Sequence, residues 1–99
     1  MPTILIDPGK LQKVRYITPP SRKVEIIVDS TSPIDIYIVQ ASDIDDWKAG
    51  DDFGGSGFHR RKKLHLKIRI QKGFDDEWYL IFENTSNKTV GVHYEVYDL

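Results

Sequence analysis

The sequence predicts an all-β protein, a single antiparallel β-sandwich of about seven to eight strands with one short helix near residues 43–49. Three observations favour this fold. Apolar and polar residues alternate along most of the chain, turn-forming residues separate the alternating segments, and a single segment carries helix signals. The 99 residues are the size of one domain, so we expect one sandwich spanning residues 1–99.

Period-two alternation marks the strands, because successive side chains of a strand point to opposite faces of a sheet. It runs through four segments: residues 24–29, 34–38, 64–70 and 90–96. Residues 78–82 are almost continuously apolar, which is typical of a central strand packed on both faces. Residues 3–6 and 11–17 alternate more weakly, and we expect edge strands there, with Lys13 and Arg15 discouraging edge-to-edge pairing.

Turn and helix signals lie between these segments. The turn-forming residues 30–33 predict a break, and residues 84–88, between two strong strands, predict a hairpin loop. Ser42 can cap a helix that has acids in its first turn and ends at Gly50. Ile44 and Trp47 are three residues apart, so one face of this helix can pack on the sandwich.

Composition excludes several classes of protein. The net charge is −1, so no global charge attracts the chain to nucleic acid or to an anionic membrane. The absence of cysteine excludes disulfides, thiolate metal sites and cysteine nucleophiles. No apolar run reaches the length of a signal peptide or of a membrane span, and we therefore expect a cytoplasmic protein that does not contact a membrane.

Five aspartates lie close together in the helix segment and after it: Asp43, Asp45, Asp46, Asp51 and Asp52. Calcium takes six to eight oxygen ligands, which clustered carboxylates in a loop can supply, so these residues are weak candidates for a calcium site. Their spacing does not match a helix-loop-helix calcium loop, which ends in a glutamate. A capped short helix with solvated acids is the plainer interpretation.

A basic run comprises Arg60, Arg61, Lys62 and Lys63. Such a run can contact the phosphates of a polyanion or an acidic protein. It leads into a strand, where side chains should point alternately to opposite faces, and the acids of residues 51–52 and 75–77 could neutralise it. A solvated strand face is the plainer interpretation here as well.

The sequence contains no recognisable catalytic group. Zinc requires three or four converging ligands, whereas His59, His65 and His93 lie in separate segments. An acid–base role would need a carboxylate beside a histidine in a cleft, and no spacing indicates one. The glycine-rich residues 54–57 lack the lysine and helix start of a phosphate-binding loop. We expect no catalytic residue and no cofactor.

Two tyrosines, Tyr37 and Tyr97, fall outside the inward register of their strands. Exposed tyrosines can anchor a protein interface. Together with Trp47 they are also the residues on which a sandwich could hold a sugar. The candidate interaction residues are therefore these three aromatic residues and the basic run.

Two passages resemble a known family. The first is Ser32–Val39 followed by the acidic turn with Trp47, and the second is Glu77–Thr85 followed by the last alternating strand. Over residues 23–97 they resemble small bacterial β-sandwich accessory domains of the pre-peptidase C-terminal type, and they are similar to the Golgi-dynamics domain. The resemblance implies a jelly-roll-like sandwich that acts as a binding or accessory module. Some relatives of this type bind calcium through loop acids, to which residues 43–52 would correspond.

Three functions follow as hypotheses. The leading one is a non-enzymatic protein-interaction or accessory module whose partner is another protein. The alternative is a β-sandwich that binds a ligand, which would be calcium, a carbohydrate or a polyanion such as nucleic acid. The third is an enzyme, which would need His65, His93 and a carboxylate to converge in a cleft.

Overall fold

A computed structural model of the chain describes residues 3–18, 22–50, 55–69 and 77–99. The strands in these residues are β1 (Thr3–Ile6), β2 (Leu11–Ile17), β3 (Lys23–Gln40), β4 (Gly55–Arg69), β5 (Glu77–Glu83) and β6 (Val90–Asp98). A 3-10 turn at Ala41–Asp43 leads into helix α1, Ile44–Ala49. The fold is therefore mostly antiparallel β with one short helix, as predicted, whereas a count of seven to eight strands is not confirmed over these ranges. No helix in them is long and apolar enough to cross a membrane.

The break expected at residues 30–33 is wrong, because β3 continues through it as one strand of 18 residues. The register between β3 and β4 shifts there instead, which marks a bulge. The Ser30 hydroxyl lies 2.7 Å from the Ser32 carbonyl oxygen and 3.1 Å from that of Lys62. Side-chain hydrogen bonding therefore substitutes locally for the regular ladder, which the proline at position 33 cannot support as a donor.

All described strands belong to one sheet, in the order β1-β6-β3-β5-β2, with β4 on the remaining edge of β3. β6 pairs with the first half of β3 and β5 with the second half, both opposite β4. The sheet thus has two parts. The first half-sheet contains β1, β6 and residues 23–30 and 63–69; the second contains β2, β5 and residues 34–40 and 55–61.

The hairpin expected at residues 84–88 is wrong as well. β5 and β6 pair with β3 rather than with each other, so they follow one another along the same edge. β1 and β2 continue one another in the same way along β6 and β5. β1 and β2 have one strand neighbour each, which confirms them as edge strands within the described sheet.

The sheet curls where the two half-sheets meet. A flat strand as long as β3 would span about 60 Å, but the longest dimension of the molecule is 39 Å. Phe82 pairs with Ile36 and Tyr94 with Val28, positions that a flat strand would separate by about 26 Å. The Phe82 and Tyr94 rings are nevertheless 5.3 Å apart. The result is a curled half-barrel whose concave face holds the core.

Outside the irregular part of the β3–β4 register, even-numbered strand side chains point to the concave face and odd-numbered ones to the outer face. The largest fully buried side chains of the concave face are Trp78, Phe82, Ile26, Ile34, Ile36, Leu80, Val24, Val28, Val90 and Val92. Both half-sheets contribute to this one cluster. The Trp78 indole N–H donates to the buried Thr18 hydroxyl at 3.2 Å, so the largest core side chain leaves no polar atom unsatisfied.

Candidate interaction surface

The basic run lies on β4, which the sequence did not predict to be an edge. Among the described residues β4 pairs only with β3. Besides Arg69, the side chains of five cations along β4 are exposed: Arg60, Arg61, Lys62, Lys63 and Lys67. We call these five residues the basic edge. The signal that could have identified the edge is the basic run itself, because lysines are characteristic of edge strands.

The alternation expected for the basic run is interrupted by a bulge at its start. Arg60 has a φ of 54°, in the left-handed region that side chains rarely adopt. Its backbone N–H donates to the Asp35 carboxylate at 3.0 Å. Phe58 and Arg61 are three residues apart, yet they oppose Ile36 and Ile34, so β4 carries one extra residue here. The bulge and the edge position together leave all four cations of the run in solvent.

Acids of β3 lie opposite the basic edge in the described sheet, Asp29 opposite Lys63 and Glu25 opposite Lys67. None of the five side chains of the basic edge forms an ion pair there. Glu77, one of the acids expected to compensate the run, instead pairs with Arg15 of β2. Residues 51–52 and 75–76 lie outside the described residues. Within the described ranges the five cations are therefore exposed and form no direct ion pair, although two acids of β3 lie next to them.

A second feature, the outer aromatic cluster of Tyr37, Trp47 and His59, lies on the outer face of the second half-sheet. The Tyr37 ring contacts Trp47 edge-on at 5.4 Å and His59 at 5.7 Å. Tyr37 also lies opposite Gly57, where a Cβ atom would come within 3.2 Å of the ring. The absence of a Cβ atom at position 57 therefore leaves room for the Tyr37 ring beside β4.

The electrostatics around this cluster are acidic. Asp35 Oδ2 lies 3.5 Å from Nδ1 of His59. Burial raises the pKa of the Tyr37 phenol, and the negative charges of Asp35 and Glu83 raise it further. Tyr37 therefore stays neutral at physiological pH and can donate a hydrogen bond.

Helix α1 covers this part of the outer face. Val39 and Ile81 point outward by register but are fully buried. The 3-10 turn contacts β5, and α1 contacts β3 through ring packing of Trp47 on Tyr37. The prediction that Trp47 packs on the sheet is confirmed, although on its outer face rather than on the main core.

Tyr97 does not join the other aromatic candidates. It lies in the first half-sheet opposite Glu25, and its hydroxyl donates to the Glu95 carboxylate at 2.5 Å. Tyr37 lies twelve residues from Glu25 along β3, in the other half-sheet. The three aromatic candidates therefore do not share one surface that could stack against a sugar.

The acidic segment shows no metal centre in its described part. Gln40 donates through its side-chain amide to the Asp43 carboxylate, so this acid is engaged at the start of the helix. No group of three or more histidine, aspartate or glutamate side chains in the described ranges is arranged to hold a metal ion. Asp51 and Asp52 lie outside those ranges. Calcium binding by this segment stays a prediction.

The histidines lie apart, each beside a different carboxylate. His65 on β4 pairs with Glu25 at 2.6 Å. His93 on β6 contacts the Thr3 hydroxyl at 3.1 Å and lies 3.7 Å from Glu95. β3 lies between β4 and β6, so the two histidines do not converge. Sequence reasoning missed both neighbouring carboxylates, since pairing register decides them.

Comparison with known proteins adds no family to this geometry. No protein-family model and no curated protein matches the chain. The resemblance to the pre-peptidase C-terminal type stays a prediction. Function is therefore inferred from the basic edge and the outer aromatic cluster themselves.

Proposed function

We propose that this protein is a non-enzymatic protein-interaction or accessory module that contacts an acidic partner through the basic edge. The observation that carries the proposal is the concentration of five exposed cations, unpaired within the described residues, on an edge strand. The whole chain has a net charge of −1, so this surface differs sharply from the average of the molecule.

Exposed charges of one sign contribute more to the recognition of a partner than to the stability of the fold. Exposed ion pairs add little to folding, about 0–1 kcal/mol each, whereas a one-sign patch speeds and orients the encounter with an opposite charge. The separation of His65 from His93 across β3 supports the non-enzymatic part of the proposal.

The proposal includes a jelly-roll-like sandwich as scaffold. The contact of Phe82 with Tyr94 across the concave face supports it, because two facing layers are the essence of a sandwich. A cytoplasmic location is part of the same proposal. Small domains in oxidising compartments commonly rely on disulfides, and this chain has no cysteine.

An affinity capture from native lysate tests the proposal. The wild type is compared with a variant carrying Arg60→Ser, Arg61→Ser, Lys62→Ser and Lys63→Ser. A control variant changes four other exposed bases, Lys10, Arg22, Lys48 and Lys88, to serine, which alters net charge equally. We expect one dominant partner that is lost only in the first variant. Equal loss in both variants, or no partner above background, would contradict the proposal.

A ligand-binding domain is the second candidate, favoured by the outer aromatic cluster with Asp35 beside it. Aromatic rings and a carboxylate are groups that recognise sugars. The rings contact one another edge-on, however, and Tyr37 rests on Gly57. A thermal-shift screen with calcium, oligosaccharides and heparin tests this candidate, since a ligand that binds only the folded state raises the Tm. An unchanged Tm contradicts it.

A further inference from the structure

Two hydrogen bonds show which backbone groups of β4 face away from the sheet. Lys23, at the start of β3, accepts from the Leu99 N–H through its carbonyl at 2.9 Å, so odd-numbered residues in this part of β3 bond toward β6. Even-numbered residues must then bond toward β4. The Lys62 carbonyl accepts from the Ser30 hydroxyl at 3.1 Å, which agrees because it too faces β3.

The free edge of β4 follows from this alternation. Leu64, Leu66 and Ile68 oppose even-numbered residues of β3, and their backbone N–H and C=O groups form hydrogen bonds with that strand. The N–H and C=O groups of the intervening residues Lys63, His65 and Lys67 point outward. They form an unpaired ladder, without a strand neighbour in the described sheet, on which another strand can bond.

The side chains along this ladder have two chemistries. Lys63, His65 and Lys67 are exposed on the outer face. On the concave side, Leu66 and Ile68 are only partly buried at the rim of the core. An added strand would therefore place one set of side chains beside cations and the alternate set beside apolar groups.

We propose that the edge of β4 from Lys63 to Ile68 binds an extended acidic segment of a partner protein as an added antiparallel strand. Acidic residues of that segment alternate with apolar ones, the acids beside Lys63 and Lys67 and the apolar residues beside Leu66 and Ile68. This inference rests on the proposed function and adds the chemical pattern of the partner. Main-chain bonds supply affinity in such strand addition, and the alternate side chains supply specificity.

A second copy of the chain is a poor occupant of this edge. Antiparallel pairing of two β4 edges would place the cations between Lys63 and Arg69 of one copy opposite those of the other. Like charges directly opposite each other destabilise a strand pair. Charge complementarity therefore favours an acidic partner over self-association.

The test uses a fluorescent peptide of about nine residues in which glutamate and valine alternate, long enough for one typical strand. Two backbone-methylated versions keep its charge and side chains. In antiparallel pairing with the glutamates beside the lysines, the glutamate N–H groups face β4 and the valine N–H groups face solvent. We expect N-methylation at the glutamates to weaken binding at least about tenfold, which is 1.4 kcal/mol, and N-methylation at the valines to leave it unchanged.

Protein variants complete the test. Lys63→Glu with Lys67→Glu should weaken binding of the unmethylated peptide at least about tenfold, because attraction is replaced by repulsion. Lys10→Glu with Lys88→Glu, two exposed bases away from β4, should leave binding of this peptide unchanged.

Equal binding of all three peptides would show charge attraction without strand pairing, as for any polyanion, and would overturn the strand addition. The reverse order of the methylated peptides would overturn the antiparallel register. If no peptide binds while the lysate partner is still lost from the basic-run variant, strand addition is overturned and the proposed function stands.

Discussion

At the scale of single residues, Asn84 joins the parts of the chain where the sheet curls. Its fully buried side chain donates to the carbonyl oxygens of Ile6 and Lys88, at 2.8 and 2.7 Å, and accepts from Ser86. Its backbone N–H donates to the Lys10 carbonyl, and its own carbonyl accepts from the Gly9 N–H, both at 3.0 Å. One residue thus ties the turn between β1 and β2 to the connection between β5 and β6.

Replacement of Asn84 should therefore be costly. We expect Asn84→Ala to lower the free energy of unfolding by about 3 kcal/mol, because the Ile6 and Lys88 carbonyls lose their donor. Urea denaturation measures the loss. Asn87→Ala, at an exposed position of the same loop, serves as the control and should change stability by less than about 0.5 kcal/mol. Equal effects of the two variants would contradict this role of Asn84.

Tyr16 should make stability depend on pH in the alkaline range. Its ring stacks on Trp78 at 4.8 Å, and burial raises the pKa of its phenol from 10.0 to about 12, with Tyr94 contributing. Between these values the unfolded chain loses the proton while the folded protein keeps it, so stability falls as pH rises from 10 to about 12.

Tyr16→Phe removes that titration. We expect a shallower fall of the free energy of unfolding in this variant, measured by urea denaturation at several pH values from 9 upward. The raised pKa values of Tyr37 and Tyr97 leave part of the slope in place. Identical slopes for wild type and variant would rule out Tyr16 as a source.

At the scale of elements, helix α1 acts as a cover. It has six residues, too few to be stable alone, and it ends at Gly50 in the left-handed conformation with φ 80°. Packing of Trp47 on Tyr37 supplies the tertiary contact that the helix needs. Val39 and Ile81, which point to the same outer face, are fully buried.

Removal of the indole should uncover this second, smaller core. We expect Trp47→Ala to cost about 2 kcal/mol, less than a fully buried tryptophan because Trp47 is half-buried. Thermal and urea unfolding measure the change, with Lys48→Ala on the exposed side of the helix as the control. A Trp47→Ala variant as stable as the control would mean that the helix does not protect the sheet.

At the scale of the whole molecule, the curl joins two half-sheets around one core. Thr18 and Arg22 are four residues apart, which limits their separation to about 14 Å. Thr18 follows the end of the second half-sheet and Arg22 precedes the start of the first. This short connection can span them only because the sheet bends back on itself, and the same bend brings Phe82 onto Tyr94.

A shared core predicts a single unfolding transition. Val92→Ala removes buried volume from the first half-sheet, and we expect it to cost about 2 kcal/mol. Both tryptophans lie in or on the second half-sheet, so their fluorescence reports on the other part of the molecule. Fluorescence and far-ultraviolet circular dichroism should shift to the same lower midpoint. Two separate transitions, or a fluorescence midpoint that the substitution leaves unchanged, would show that the half-sheets unfold independently.

By itself, the sequence determines the local features of this protein. Alternation predicts which residues of each strand point to the core, and the weak segments 3–6 and 11–17 are correctly predicted as edges. The acids of the first turn and Gly50 correctly predict a helix near residues 43–49, whereas the predicted cap is wrong, because Asp43 and not Ser42 holds the N-cap position of α1. These signals suffice because side-chain direction and helix ends depend on neighbouring residues alone.

Only the tertiary structure decides how these elements join. Residues 30–33 carry turn signals, yet they continue β3. The reason is that the Ser30 hydroxyl donates a hydrogen bond to the carbonyl oxygen of Lys62, which lies 32 residues further along the chain. A contact between distant residues also accompanies the arrangement of β5 and β6 along β3, since the Asn84 side chain donates to the carbonyl oxygen of Ile6 in β1. The edge position of β4, and with it the proposed binding site, depends on which strands pair. Pairing is set by contacts between distant parts of the chain, which no local pattern encodes.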